Sequence, residues 1–288
     1  MKLTEGSAPN TLWSYWESDS SILPPIVETC HRSWSGVGSF ASVHLLMPED
    51  LPKYLSSNDL PSRFQEMPPV KRANAVRLAL LSRHGGYWVD AGVLTTGPVD
   101  DWVKPKASSH GFFVFQDVDR SRILDTWFIS GTPHSAFLRE WRIRYQKFFD
   151  RRKIHEAHSL HKTPSKIATH IIVAINKRLR SAPSKIAAWA KFPLARLPMY
   201  PYFIMHYIAN SLLETPELQS EFASMTKIKA SRALAMRGLL DKNNLTRDAA
   251  IVIASDVPIH KLNTYRTYSS EELEILESLI TTSKRKTI

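Results

Sequence analysis

Short aromatic and β-branched runs alternate with apolar or amphipathic stretches of helical length in the first half of the chain. Prolines or glycines stand at most of the joints. Thr11-Leu12-Trp13-Ser14-Tyr15-Trp16 is such a run, followed by Glu17-Ser18-Asp19, and predicts a strand with a loop at its C-terminal end. Pro24-Pro25 stand where a helix can begin, ahead of Ile26-Val27-Glu28-Thr29-Cys30, and Gly36 and Gly38 close it. Phe40 to Met47 predicts a second strand, stopped by Pro48. A β-α-β opening of this kind favours a parallel sheet that takes nucleotide-sized ligands at its strand ends.

The next unit is more informative. Pro68-Pro69 lead into Val70 to Arg83, a helix that is apolar almost all round and therefore predicted to be buried. His84-Gly85-Gly86 ends it, since glycine takes a positive φ at little steric cost. Tyr87-Trp88-Val89 reads as a strand, and Asp90-Ala91-Gly92 puts the Asp90 carboxylate at its C-terminal end, where open α/β sheets hold their ligands. Asn74 and Arg77, three residues apart, share one face of the preceding helix. A guanidinium on so apolar a helix must find a carboxylate or a phosphate. Either a structural ion pair or a ligand would satisfy it.

Further along, Gly111 to Gln116 and Thr126 to Ser130 predict two more strands, and Ser135 to Phe149 an amphipathic helix. Helical patterns resume at Tyr202 to Leu213 and Glu271 to Ile280, with a strand expected at Ala250 to Ala254 between them. Beyond Pro258, His260 and Lys261 are expected in a loop. Asp117-Val118-Asp119 is a second carboxylate motif, placed after the apolar run Phe112 to Phe115. It lacks the Gly-Gly and the Arg77 helix that precede Asp90, and Arg120 and Arg122 offer it surface pairing, so Asp90 is the preferred strand-end acid.

Charge adds a partner class. The 288 residues carry 38 Lys+Arg against 27 Asp+Glu, a net +11 that calls for something anionic: nucleic acid, a lipid surface or a phosphorylated substrate. Between 151 and 198 stand eleven of the cations and one acid, Glu156. Within that stretch Ser165 to Arg180 has an apolar stripe and basic flanks, which suit either packing on the core or an anionic membrane surface. Only Trp189 and Phe192 interleave the basic residues, and no zinc, RRM-like or helix-turn-helix signature appears, so specific nucleic-acid binding is not expected. A single cysteine, Cys30, excludes an intrachain disulfide framework and a Cys-rich zinc site, and reads as a small buried hydrophobe in a reducing compartment. No run reaches the roughly 18–20 apolar residues of a membrane span, and the first residues lack the apolar stretch of a signal peptide. The expected location is the cytoplasm, with attachment at the inner face of the membrane if the basic stretch binds lipid.

Several of these motifs together resemble a known family. Trp13-x-Tyr15-Trp16, then Arg77-Leu78-Ala79-Leu80-Leu81, Gly85-Gly86-x-Trp88-Val89-Asp90, is similar to the capsular polysaccharide synthesis family of glycosyltransferases, relatives of the family 32 enzymes. Thr126-Trp127-Phe128-Ile129, Tyr202 to Tyr207 and Pro258-Ile259-His260-Lys261-Leu262 look similar too, in the expected order.

The resemblance implies an α/β, GT-A-like nucleotide-sugar-binding fold with a mainly parallel central sheet and added C-terminal helices. The whole chain, 1–288, would then be one glycosyltransferase domain: a nucleotide-sugar-binding core over 1–150, the basic helical segment 151–198, the acceptor side and C-terminal loop over 199–268, and a helix and tail over 269–288. It implies transfer of a hexosyl group from a UDP- or GDP-sugar to a glycan or lipid-linked glycan acceptor. A divalent cation, Mn²⁺ or Mg²⁺, would bridge Asp90 and the diphosphate, with His260 as a further ligand. Asp90 and Arg77 would be the catalytic pair, and Trp13, Tyr15, Asn74, Arg77, Gly85, Gly86 and Lys261 would bind the donor. Two positions depart from the family pattern. Ala73-Asn74 stands where relatives often have Ser-Asp, and Asp90-Ala91-Gly92 has one carboxylate where Asp-x-Asp is frequent. A catalytically inactive partner subunit is therefore the alternative.

Overall fold

The computed structural model describes residues 8–17, 22–119, 122–150 and 203–284. The basic stretch lies outside these residues, and with it the helix and the membrane contact expected at Ser165 to Arg180, as does the end of the C-terminal tail.

Strand β1 (Thr11–Tyr15) leads through helix α1 (Pro25–Gly36) to β2 (Ser42–Leu46). Pro25 sits in the first turn of α1, where the missing N–H is no loss. Helix α2 (Pro69–His84) starts the same way and runs straight into β3 (Gly86–Val89), followed by β4 (Val93–Thr95) and a short α3 (Val99–Val103). β5 (Phe113–Asp119), β6 (Arg122–Gly131) and α4 (Ala136–Asp150) complete the first half. After residue 203 come α5 (Ile204–Leu212), α6 (Pro216–Ser224), α7 (Ala230–Leu240), α8 (Arg247–Asp256), β7 (Ile259–Lys261) and α9 (Ser270–Lys284).

Five strands form one sheet in the order β2-β1-β3-β6-β5. β1 pairs parallel with β2 and β3, β6 pairs antiparallel with β3, and β5 antiparallel with β6, so β6 alone opposes the common direction. This is the mixed α/β class with a mainly parallel sheet and C-terminal helices that the sequence led us to expect. Alternation along the strands splits the core in two. Trp13, Tyr15, Trp88, Val114 and Ile129 pack on the face covered by α2, α4 and α5. Leu12, Tyr87, Val89, Phe113 and Phe128 pack on the face covered by α1, α7 and α9. β3 is the middle strand and is buried on both sides, so Asp90 leaves it at the centre of the sheet. Asp117-Val118-Asp119, by contrast, ends β5 at the sheet edge, where Asp117 pairs with Lys227 at 3.1 Å.

Two expectations are corrected. Ala250 to Ala254 is not a strand but the middle of α8. The Thr246 hydroxyl accepts a hydrogen bond from Ala249 N at 3.3 Å and Asp248 lies in the first turn, so both local start signals favour helix. The apolar run that suggested a strand is largely outside the core, with Ile251 52% and Val252 68% exposed. His260 and Lys261, expected in a loop, form β7, which pairs antiparallel with β4: Val93 opposite Lys261, Leu94 opposite His260. The full burial of Val93, Leu94 and Ile259 accounts for this pairing, since it places their backbone groups away from water, where they need partners.

Candidate active site

A cleft of about 380 Å³ opens where β1 and β3 end. β1 supplies Tyr15 and, just beyond it, Trp16 and Glu17; α2 supplies Asn74 and Arg77; β3 supplies Trp88 and, past its end, Asp90. The segment that leaves β7 closes the opposite side with Lys261 and Tyr265, and Arg237 reaches in from α7.

Arg77 is the most constrained group. Its Nη2 donates to Asp90 Oδ1 at 2.6 Å, and its Nη1 donates to Asn74 Oδ1 at 3.0 Å and to Met205 Sδ at 3.3 Å. The guanidinium carbon lies 4.9 Å from the centre of the Trp88 ring. Its side chain is 5% exposed, so the Asp90 carboxylate is what makes its burial tolerable. Asp90 receives a second cation: Lys261 Nζ stands 3.2 Å from Oδ2, while Trp88 Nε1 donates to Oδ1 at 3.1 Å. Burial pushes the Asp90 carboxyl up, but Lys261 and Arg77, with the Trp88 hydrogen bond, outweigh it and hold the group at about 2. It is a carboxylate at any physiological pH.

Glu17, the other acid of the cleft, is also committed. It accepts from the Tyr15 hydroxyl at 3.0 Å and from Arg72 Nε at 3.0 Å, and Arg72 Nη2 closes a second contact to its other oxygen.

The structure thus brings together Asp90, Arg77, Asn74, Tyr15 and Lys261 out of the residues singled out in the sequence. Others fall elsewhere. Gly85 and Gly86 lie at the start of β3, and four residues of strand, roughly 13 Å, separate them from the Asp90 end. They are corrected from donor contacts to backbone devices: Gly86 has φ +100°, and a Cβ there would sit 2.4 Å from Thr11 O. Trp13 is likewise outside the cleft, 5% exposed, its Nε1 donating to Gly85 O at 2.9 Å and its ring stacked on His44 at 4.6 Å. Trp16, just past the end of β1, is the tryptophan of that motif that borders the opening, beside Tyr15.

His260 faces away from Asp90, because neighbours on a strand point to opposite sides. Its ring is fully buried, its Nε2 is 3.1 Å from the Thr96 hydroxyl, and burial pulls its titration down to about 4.

The expected divalent cation does not fit this donor set. Among the described residues no group of three His, Cys, Asp or Glu could hold a metal. Asp90 has both oxygens on cations, Glu17 is held by Arg72, and His260 is turned away. A doubly charged ion placed about 5 Å from each of Arg77 and Lys261 would be repelled by about 7 kcal/mol per contact at an effective dielectric of about 20.

Two features escaped the sequence reading. Arg237 carries no motif and stands 160 positions from Arg77 in the chain, so only the packing of α7 against β7 reveals it. Behind Arg77, next to Met205, His206 Nε2 lies 3.8 Å from Asp125 Oδ1; burial lowers the His206 titration and keeps the ring neutral, although Asp125 opposes this. The sequence shows Thr126 to Ile129 and Tyr202 to Tyr207 as separate motif pieces, without showing that these stretches meet.

The model of a capsular polysaccharide synthesis protein matches residues 2–178. The O-glycosyltransferase braB of Annulohypoxylon truncatum is 25% identical over 162 residues, 50% of this chain and 38% of the relative, so the chain spans well under half the length of that protein. The solved PaToxG glycosyltransferase aligns over 97% of this chain and 87% of its own, at 9% identity and a TM-score of 0.41. The match covers more than half of the chain, including β1, the α2–β3 unit and Asp90, and on that ground the chain belongs to the capsular polysaccharide synthesis protein family.

Proposed function

We propose that the protein is a glycosyltransferase that moves a hexosyl group from a UDP- or GDP-sugar to a glycan acceptor, free or lipid-linked, in the synthesis of a capsular or cell-surface polysaccharide. The observation that carries this reading is the junction of Arg77, Asp90 and Lys261, from three separate segments, at one end of the central strands. That end is where open α/β folds bind nucleotides. Family membership supports it, as does the similarity to an O-glycosyltransferase over half the chain.

In this reading Asp90 and Arg77 hold the donor sugar, Asn74 fixes the guanidinium, Tyr15 and Trp16 border the nucleotide, and Lys261 meets the diphosphate. A fixed cation beside the leaving group is chemically apt, because negative charge grows on the diphosphate oxygens as the glycosidic bond opens. The divalent ion implied by the family is left out of the scheme, because the residues present do not suit it.

The test is a reaction of purified protein with a panel of UDP- and GDP-sugars and glycan acceptors, read as nucleoside diphosphate release and product mass. Turnover with at least one donor, lost in Asp90→Ala, is expected. Donor binding without turnover across the panel would favour the inactive partner subunit, for which the substitution of Asn74 for the family's acid is the motivating observation. Absence of any donor binding would remove the nucleotide-sugar reading altogether.

A further inference from the structure

We infer that this cleft is a cation clamp for a diphosphate that works without a divalent metal, with Lys261 and Arg237 as its two arms and Asp90 as the internal counter-ion that aims Lys261. The inference rests on the nucleotide-sugar reading for the identity of the ligand, but its physical basis is the charge arrangement.

Three cations line the cleft, Arg77, Arg237 and Lys261, against two acids, Glu17 and Asp90. Glu17 is neutralised from behind by Arg72, which does not line the opening. Asp90 balances only one of the two cations that touch it, Arg77 and Lys261. Arg237 has a single ion-pair partner among the described residues, Asp241, on its Nε at 3.3 Å, and its side chain is 39% exposed. Arg77, Lys261 and Asp90 together therefore carry one positive charge in excess, and Arg237, whose charge Asp241 balances through Nε, still presents its terminal nitrogens to a ligand. An anion with two linked phosphoryl groups matches such a site, because guanidinium and ammonium can each take one group through charge-assisted hydrogen bonds.

The two arms are carried by adjacent elements. α7 packs on β7, so Arg237 and Lys261 approach from one side. Lys261 is 17% exposed and held in place by Asp90 at 3.2 Å, which removes much of the cost of ordering a long side chain on binding. Both oxygens of the Asp90 carboxylate are taken by cations of the protein, Oδ1 by Arg77 and Oδ2 by Lys261.

Calorimetric titration with UDP, GDP and inorganic pyrophosphate, each in excess EDTA and again with saturating Mn²⁺, tests the clamp. We expect binding in EDTA that Mn²⁺ leaves unchanged within about threefold, a weakening of about tenfold or more in Arg237→Gln and Lys261→Gln, and recovery in Lys261→Arg. Arg237→Gln alters an exposed side chain, and thermal unfolding of each variant identifies any that is misfolded. Binding that appears only with Mn²⁺ overturns the clamp and leaves the glycosyltransferase reading intact. Metal-free binding of pyrophosphate through Lys261 and Arg237, with no affinity for UDP or GDP in either condition, upholds the clamp and removes the nucleotide-sugar donor. No binding of any of the three anions in either condition overturns the clamp.

Discussion

Arg77 and Asp90 meet at 2.6 Å, so one ion pair joins the buried face of α2 to the end of the central strand. The two partners of Asp90 differ in depth: Arg77 is 5% exposed and Lys261 17%. We predict that Asp90→Ala, which strands the deeper cation, lowers stability by about 3–5 kcal/mol. Lys261→Met leaves Arg77 paired and costs about 1 kcal/mol. Urea unfolding of the two variants measures both, and equal losses would refute the asymmetry.

One glycine of the family motif and one outside it predict opposite responses to the same change. Gly86→Ala forces an L-residue to φ +100° and brings Cβ to 2.4 Å from Thr11 O, so it costs about 2–4 kcal/mol. Gly238 lies in α7, and a Cβ there meets nothing within 4 Å, so Gly238→Ala stabilises by about 0.5–1 kcal/mol. A thermal midpoint that rises for the first or falls for the second would contradict the packing described.

His260 gives the fold an acid limit. Burial moves its titration from 6.5 to about 4, so between those values the unfolded chain binds a proton that the folded chain refuses. Stability therefore falls as pH drops through that window, by about 3 kcal/mol at its full extent. His206, also lowered by burial, acts in the same direction. Asp90, depressed to about 2 from 3.8, contributes stability that is present above 3.8 and disappears only below this window. Unfolding free energies at neutral pH and near about pH 4.5 should show a smaller drop in His260→Gln than in the native sequence. An identical drop in both would show that His260 is not the group responsible.

Cys30 is fully buried in α1, and burial pushes its thiol up to about 12. We predict that a disulfide reagent labels it only at the rate of unfolding. Rapid labelling of the native protein would contradict its place in the core.

What the sequence made legible was local. Prolines at the starts of α1 and α2, the glycines after α2 and the alternation in β1 are all punctuation read over a few residues, and each marks an element that is present. The most recognisable motif residues nevertheless turned out to serve packing. Gly86 and Trp13 are fixed by the close approach of β1 and β3 and by a hydrogen bond to a backbone carbonyl, constraints that leave the same imprint on a sequence as chemistry does. Non-local facts stayed hidden. β7 is a strand because β4 lies beside it, and nothing within its three residues says so. α8 was misread because an apolar run of strand length is ambiguous unless its burial is known. Arg237 has no local signal that sets it apart from a surface cation; the packing of α7 against β7 brings it to the cleft.

The Thr96–His260 contact joins residues 164 positions apart, and this separation governs when the protein becomes competent. During synthesis the sheet through β6 can form before the later segments have been made, since folding proceeds from the N-terminus onward. Asp90 and Arg77 pair early, but the ammonium that completes the site arrives only after another 171 residues have been added to Asp90. An incomplete product ending before Lys261 would thus hold the Arg77–Asp90 pair and lack the Lys261 ammonium. The cleft is complete only once β7 has paired with β4, so the Lys261–Asp90 contact itself reports that these distant segments have folded together.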